Sequence, residues 1–232
     1  TSFPEIQHQG RTLRTCDVHG MPLDFYFRMD QAECMLRKYG EYKGARIQRI
    51  DHLNCFTPDV QASYDFYTEL GFRLTEYTET EGSDPKLWAV WMHRKGNVHD
   101  IAFTNGAGPR LHHIGVWTAS ALDILHICDV MASSGYLDNM ERGPGRHGMG
   151  EQTYLYTREP GGIRFELNSG GYRVYAPDWE PVKWLPAQGS NTMYRNLAMP
   201  QSMMEAFPPA DGGAIPEPAV ASMANPWGKA PA

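Results

Sequence analysis

The sequence predicts an α+β domain built from two copies of a β-α-β-β-β unit, followed by an irregular C-terminal strap. The first reason is a repeat. RIDHLNCFTPDVQASYDFYTELGF and RLHHIGVWTASALDILHICDVMASSGY open two units in which His52 falls on His113 and Thr57 on Thr118, at a constant offset of 61. The second is periodicity: each unit opens with an apolar, β-branched stretch, continues with apolar residues at helical spacing, and stops at a glycine. The third is a change of composition after residue 170, where Pro, Gly, Met and Trp dominate and periodicity is lost.

Taken in order, residues 1–45 read as the end of a preceding module plus a linker. LRTCDVHGMPLDFYF (13–27) matches LYTREPGGIRFELNS (155–169) at offset 142, each a strand, a glycine-containing turn and a second strand. Residues 28–45 are expected to be helical or irregular. The first full unit, 46–108, starts with a strand near Ile47. Thr57 can cap the following helix and Pro58 suits its first position. Val60, Tyr64, Phe66 and Tyr67 recur at helical spacing and Gly71 ends the run. FRLTEYTE, LWAVWMHR and DIAFTN follow as strands. In the second unit, 109–170, Leu122, Leu125, Ile127 and Val130 mark a helix ending near Gly135, with QTYLYTR and IRFELN as later strands. Residues 171–232 are the strap: 172–207 is too aromatic to be free linker and is expected to pack as a lid. The final 20 residues or so are expected to be disordered and to bury little.

Composition narrows the function classes. The 232 residues are 41% hydrophobic and 21% charged, an ordinary balance for a globular chain with a sizeable core. A net charge of −6 without any basic run argues against a nucleic-acid partner. No apolar stretch approaches a membrane span, so no membrane partner is expected. The start, TSFPEIQHQG, lacks the layout of a signal peptide, and lacks Met, so the true N-terminus is expected upstream. Four cysteines at 16, 34, 55 and 128 form no C-x-x-C pair. Free thiols in a reducing cytoplasm are the expectation.

The chemistry gathers on a few residues. His52, His113 and Glu166 each sit in a strand-like stretch, and two histidines with one carboxylate can hold a divalent metal on one face with positions left open. A histidine among apolar strand residues is more often a packed core residue, but two at matching places of a repeat are not ordinary. His99, upstream of the second histidine, has a side chain suited to carrying a proton near neutrality; its bland alternative is an exposed loop residue. His112 adjoins His113 and should face the other way, since neighbouring strand residues alternate. Tyr156 and Glu166 fall on successive strands of one hairpin and can share a face. Arg142 and Arg146 flank a Gly-Pro-Gly turn, either a solvated loop or a cationic grip for a carboxylate. Trp91 stacks on a ring or fills the core.

Together RIDHLN, WMHRKGNVHD, GPRLHHIG, RGPGRHG and the Tyr154-x-Tyr156-x(9)-Glu166 spacing resemble the type I extradiol ring-cleaving dioxygenases of the vicinal oxygen chelate superfamily. Homoprotocatechuate and catechol 2,3-dioxygenases are the most similar members. The resemblance spans roughly 45–185, with a weaker echo in 10–27. It implies paired modules forming a metal-holding cup, Fe(II) or alternatively Mn(II) as cofactor, and a catecholic substrate with O2 as partners. It implies His52, His113 and Glu166 as metal ligands and His99 as the acid-base residue. Asn54 and Tyr156 become catalytic residues, and Trp91, Arg142 and His147 surround the substrate. Cleavage beside rather than between the hydroxyls follows, as does a homo-oligomer. Members of the family carry a complete N-terminal domain of two such units, of which only the end is found here.

Two other readings share the scaffold. A glyoxalase-like lyase or epimerase would need a fourth protein ligand from the last strand of the first unit, where only Asp100 of HDIAFTN could serve. A metal-free binding protein would not need the full triad together with His99.

Overall fold

The structure, a computed structural model, describes residues 1–35, 37–185, 199–207, 215–218 and 220. Strands β1 (Glu5–Ile6), β2 (Gly10–Cys16) and β3 (Pro22–Tyr26) form a small antiparallel sheet. The strand-turn-strand expected over 13–27 is therefore present, with β1 added. Met21 and Leu23 rest on the core of the first unit, and the described residues of the linker beyond include a 3₁₀ turn at Tyr39–Glu41.

The first unit runs β4 (Ile47–Thr57), α1 (Val60–Glu69), β5 (Arg73–Glu79), β6 (Leu87–His93) and β7 (Ile101–Asn105). The second runs β8 (Arg110–Thr118), α2 (Ala121–Ser133), β9 (Met140–Arg146), β10 (Gln152–Arg158) and β11 (Arg164–Gly170). Their eight strands join one mixed sheet in the order β5-β6-β7-β4-β8-β11-β10-β9, extended at the first edge by β12 (Val182–Trp184). The order is palindromic. β4 and β8 pair antiparallel at the centre, and each is flanked by the last strand of its own unit, running parallel to it. The repeat in the sequence thus becomes a pseudo-twofold axis between β4 and β8. His52 of β4 and His113 of β8 lie on either side of it.

Helix starts differ from expectation in one detail. Asp59, not Thr57, caps α1: its carboxylate accepts from the Ala62 amide at 3.0 Å. Thr57 remains the last residue of β4, with its hydroxyl 2.8 Å from that of Ser63. α2 begins with a capping box, Ser120 and Asp123 bonding reciprocally. Gly71 and Gly135 end the helices with φ of +84° and +83°, as the sequence implies. The buried stripe of α2 is shifted: Ile124 is fully buried, with Ile127 and Cys128 beside it, whereas Leu122 and Leu125 are exposed.

Two further departures concern proline-containing stretches. The Gly-Pro-Gly segment flanked by Arg142 and Arg146 is not a loop but β9, an edge strand bulged against β10, where proline's missing N–H costs no ladder bond. The strap is not wholly irregular, because β12 pairs parallel with β5. Of its residues, 186–198, 208–214, 219 and 221–232 lie outside those described, so the lid expectation is judged on the rest. The expectation that the last residues bury little falls mostly on residues outside those described. Among the described ones, the Gly108 amide donates to the Pro216 carbonyl at 3.1 Å and Asn105 Nδ2 to the Val220 carbonyl at 3.0 Å. Among the described residues no helix is long and apolar enough to cross a membrane.

Candidate metal centre and substrate pocket

β4 and β8 deliver His52 and His113 to the concave face of the sheet, and β11 delivers Glu166. His52 Nε2, His113 Nε2 and Glu166 Oε2 form a nearly equilateral triangle with edges of 3.2, 3.0 and 3.0 Å. All three side chains are buried. An ion seated at mutual right angles to three donors about 2.2 Å away would set those donors roughly 3.1 Å apart, the spacing of one octahedral face. The residues therefore fit a divalent ion, and the imidazole and carboxylate donors suit iron or manganese.

Glu166 is held from behind. His147 Nε2 lies 3.1 Å from Glu166 Oε1 and 3.1 Å from the Tyr156 hydroxyl, and its ring stacks on Tyr154 at 3.9 Å. His147 thus meets the carboxylate itself. Tyr156 and Glu166 are direct partners across β10 and β11, which is why they share a face. Burial works against the Glu166 carboxylate, but the close imidazoles of His113, His147 and His52 overcome it and hold its pKa well below the usual range. Burial depresses the His113 pKa to about 4. At His52 burial is outweighed by Asp51 and Glu166, and the pKa rises to about 9.

The strict alternation expected of β4 and β8 fails at the residue before each histidine. Pairing passes from Ile50–Val116 to His52–Gly115, skipping Asp51, and from Asn54–His113 to Cys55–Leu111, skipping His112. Each skip is a β-bulge, which re-aims the extra residue. Asp51 Oδ2 comes 3.2 Å from His52 Nδ1, while Asp51 Oδ1 accepts from Arg49 at 2.6 Å. His112, expected on the far side, is buried in the same pocket with its Nδ1 2.7 Å from that of His113. Neither was singled out as a site residue from sequence; the signal was their shared offset of 61.

Gly115 was missed as well. It faces His52 across the β4–β8 pair, and a Cβ there would lie 2.3 Å from His52 Cε1. Only glycine leaves room for the ring.

All nine residues nominated from the sequence, His52, Asn54, Trp91, His99, His113, Arg142, His147, Tyr156 and Glu166, line one pocket. It encloses about 710 Å³ with its open mouth included. His99 sits in the turn before β7, where the Asp100 carboxylate accepts from the Arg94 and Lys95 amides. It is not exposed: its ring lies 4.0 Å from that of His52. Burial, and then repulsion from the His52 imidazole, push its pKa well below 6.5. A neutral ring is the consequence, in place of a group poised at neutrality. Asn54 Oδ1, Trp88 Nε1, Trp91 Nε1 and His99 Nδ1 are buried without a hydrogen-bond partner among the described residues. Buried polar atoms are seldom left so, and four on residues that line this pocket mark a place for a polar ligand. Arg142 is buried as well, over the Tyr154 ring at 5.3 Å. Met199, Met203 and Met204 of the strap complete the pocket.

Among the described residues, the first unit places no donor side chain where a lyase's fourth ligand would be expected. Glu166 pairs with Gly115 on β8, and at the equivalent place of the first unit Ala102 pairs with Asn54 on β4. The pseudo-symmetric partner of Glu166 is therefore Ala102, not Asp100, whose carboxylate is committed to the turn and to Lys95.

Residues 49–167 match the glyoxalase/bleomycin resistance protein/dioxygenase superfamily. Among curated relatives, a manganese-dependent 2,3-dihydroxybiphenyl 1,2-dioxygenase of Geobacillus genomosp. 3 is 31% identical over 78% of this chain and 60% of its own length. A metapyrocatechase of Geobacillus stearothermophilus is 33% identical over 61% of this chain and 43% of its own. The chain thus spans no more than about three fifths of the length of these relatives. An extradiol ring-cleaving dioxygenase from B. fuscum superposes with a TM-score of 0.88 at 34% identity, covering 95% of this chain and 63% of that one. The homoprotocatechuate 2,3-dioxygenase of Brevibacterium fuscum in complex with 3,4-dihydroxyphenylacetate superposes with a TM-score of 0.81 at 36% identity, covering 87% and 63%.

Proposed function

The chain belongs to the glyoxalase/bleomycin resistance protein/dioxygenase superfamily, and from that premise we propose that it is an extradiol dioxygenase, opening a catechol ring beside its hydroxyls with O2. One observation carries the reading: three buried donors form one octahedral face, and the symmetric fourth position is an alanine. Fe(II), or Mn(II) as in the Geobacillus relative, held by His52, His113 and Glu166 would supply open positions for both catechol oxygens and O2.

The chain's own residues do the rest. His99, packed against His52 with its Nδ1 unpartnered among the described residues, takes a hydroxyl proton from the entering catechol and gives it back to the opened product. His147 and the Tyr156 hydroxyl fix the Glu166 carboxylate, so its metal-facing oxygen is preorganised. Asn54 and Trp91 offer unpartnered polar atoms to the substrate. Arg142 faces the ring substituent, which points to a carboxylate-bearing catechol. The strap methionines exclude water. Catalysis resides in 46–170, with 171–232 as a lid. The protein works as a homo-oligomer in the cytoplasm, where its four free cysteines remain thiols.

The lyase reading suffers from Ala102. The metal-free reading suffers from the convergence of three buried lone-pair donors, costly without a cation between them. The test is anaerobic addition of substituted catechols to Fe(II)- or Mn(II)-loaded protein, followed by air. Appearance of a yellow ring-opened semialdehyde supports the proposal. Bound catechol that is never opened defeats it.

A further inference from the structure

Each ligand histidine is preceded by a bulged residue that turns back onto its outer ring nitrogen. Asp51 does this for His52 and His112 for His113, at the same offset of 61. The first orienter is anchored within its own strand by Arg49. The second is anchored from elsewhere: His112 Nε2 lies 2.7 Å from the Met203 carbonyl in the strap. A carbonyl only accepts, so Nε2 of a neutral His112 carries the proton and its Nδ1 is a bare acceptor. His113 Nδ1 must then donate to it, which leaves His113 Nε2 with its lone pair directed into the triangle. In that tautomer the order of donors runs from the strap to the metal position.

We propose that His112 is a positioning residue that makes the strap segment 201–207 part of the metal site, so that metal affinity and strap docking rise and fall together. The segment is knitted onto this part of β8 by more than one bond. Arg164, itself buried, donates to the His112 carbonyl at 2.9 Å, the Ser202 carbonyl at 2.7 Å and the Glu205 carbonyl at 3.0 Å. The Phe207 amide donates to the Leu111 carbonyl at 2.9 Å. The strap therefore grips the bulged residue and the one before it, and through His112 it sets the tautomer of His113. Coupling of this kind is reciprocal: if the docked strap favours the metal, the metal must favour the docked strap.

The inference rests on the reading of the triad as a metal site, and the experiment separates the two. In the chain of residues 1–232, Mn(II) affinity is measured by competition with a fluorescent chelator. His112→Phe should weaken it about 10–100-fold, the usual cost of losing a partner behind a ligand. His112→Gln should restore most of it, since the amide oxygen can accept from His113 and the amide nitrogen can donate to Met203. In the wild type, Mn(II) should slow hydrogen exchange at the Phe207 amide; in His112→Phe it should not. Wild-type protein that fails to bind Mn(II) would remove both the metal site and the linkage. Wild-type binding with unchanged Phe207 exchange, or His112→Phe binding as tightly as wild type, would overturn the linkage alone.

Discussion

Gly115→Ala should damage the metal site more than any other single methyl group added to this protein. The new Cβ would lie 2.3 Å from His52 Cε1 and 2.5 Å from both ring nitrogens. Carbon atoms rest about 3.5 Å or more apart, so the ring must retreat by roughly 1 Å. It cannot do so freely: His52 is buried, with the His99 ring 4.0 Å away and the His113 ring edge-on at 5.3 Å. A metal ligand tolerates only about 0.2 Å of displacement. Mn(II) affinity should therefore fall by about 100-fold or more, and overpacking should cost about 1–3 kcal/mol of apo-protein stability. Chelator competition and urea unfolding measure the two separately. An alanine variant that binds Mn(II) within about twofold of wild type would refute the claim that His52 is held by the space at Gly115.

Three other outcomes are expected. His99→Phe should keep its metal but turn over about 100-fold more slowly, oxygen activation suffering more than catechol binding; wild-type rates across pH 6–8 would exclude it as the proton carrier. Arg142→Met should reduce the preference for a carboxylate-bearing catechol over catechol itself about ten- to a hundredfold in kcat/KM, whereas equal losses on both would make it a structural residue. Glu141 bears on pH. Burial opposes its ionisation, but Arg164 and the Ser202 hydroxyl outweigh that and lower its pKa from 4.5 to about 2. A depressed carboxyl stabilises the fold above its unfolded value, and that stability is lost as pH falls from about 4.5 towards 2. Glu141→Gln should flatten this part of the acid-unfolding curve; an unchanged slope would locate the acid sensitivity elsewhere.

The repeat made most of the fold legible. An offset of 61 between His52 and His113 implied two equivalent units, and glycine stops at 71 and 135 fixed where the helices end. Departures arose where one residue breaks a period. The bulges at Asp51 and His112 cannot be read from alternation, because an unpaired extra residue leaves the apolar pattern around it intact. Proline hid β9, whose edge position tolerates it, and Pro- and Trp-rich surroundings hid β12. In α2 both sides of the helix are apolar, so sequence spacing alone could not choose Ile124 over Leu122. At the site, the residue types of the triad and His99 announced their chemistry, whereas Gly115 and Ala102 act by lacking a side chain. Their importance is visible only against the partners that the register sets beside them.

The central claim is ring opening beside the hydroxyls at the His52–His113–Glu166 site, and labelled oxygen tests it most directly. Metal-loaded protein is mixed with 3,4-dihydroxyphenylacetate under ¹⁸O₂ and the product is weighed by mass spectrometry, alongside Glu166→Ala. The account predicts a semialdehyde carrying both labelled atoms from the wild type and no product from the variant. A diacid cleaved between the hydroxyls, or the same semialdehyde formed by Glu166→Ala at the wild-type rate, would contradict it.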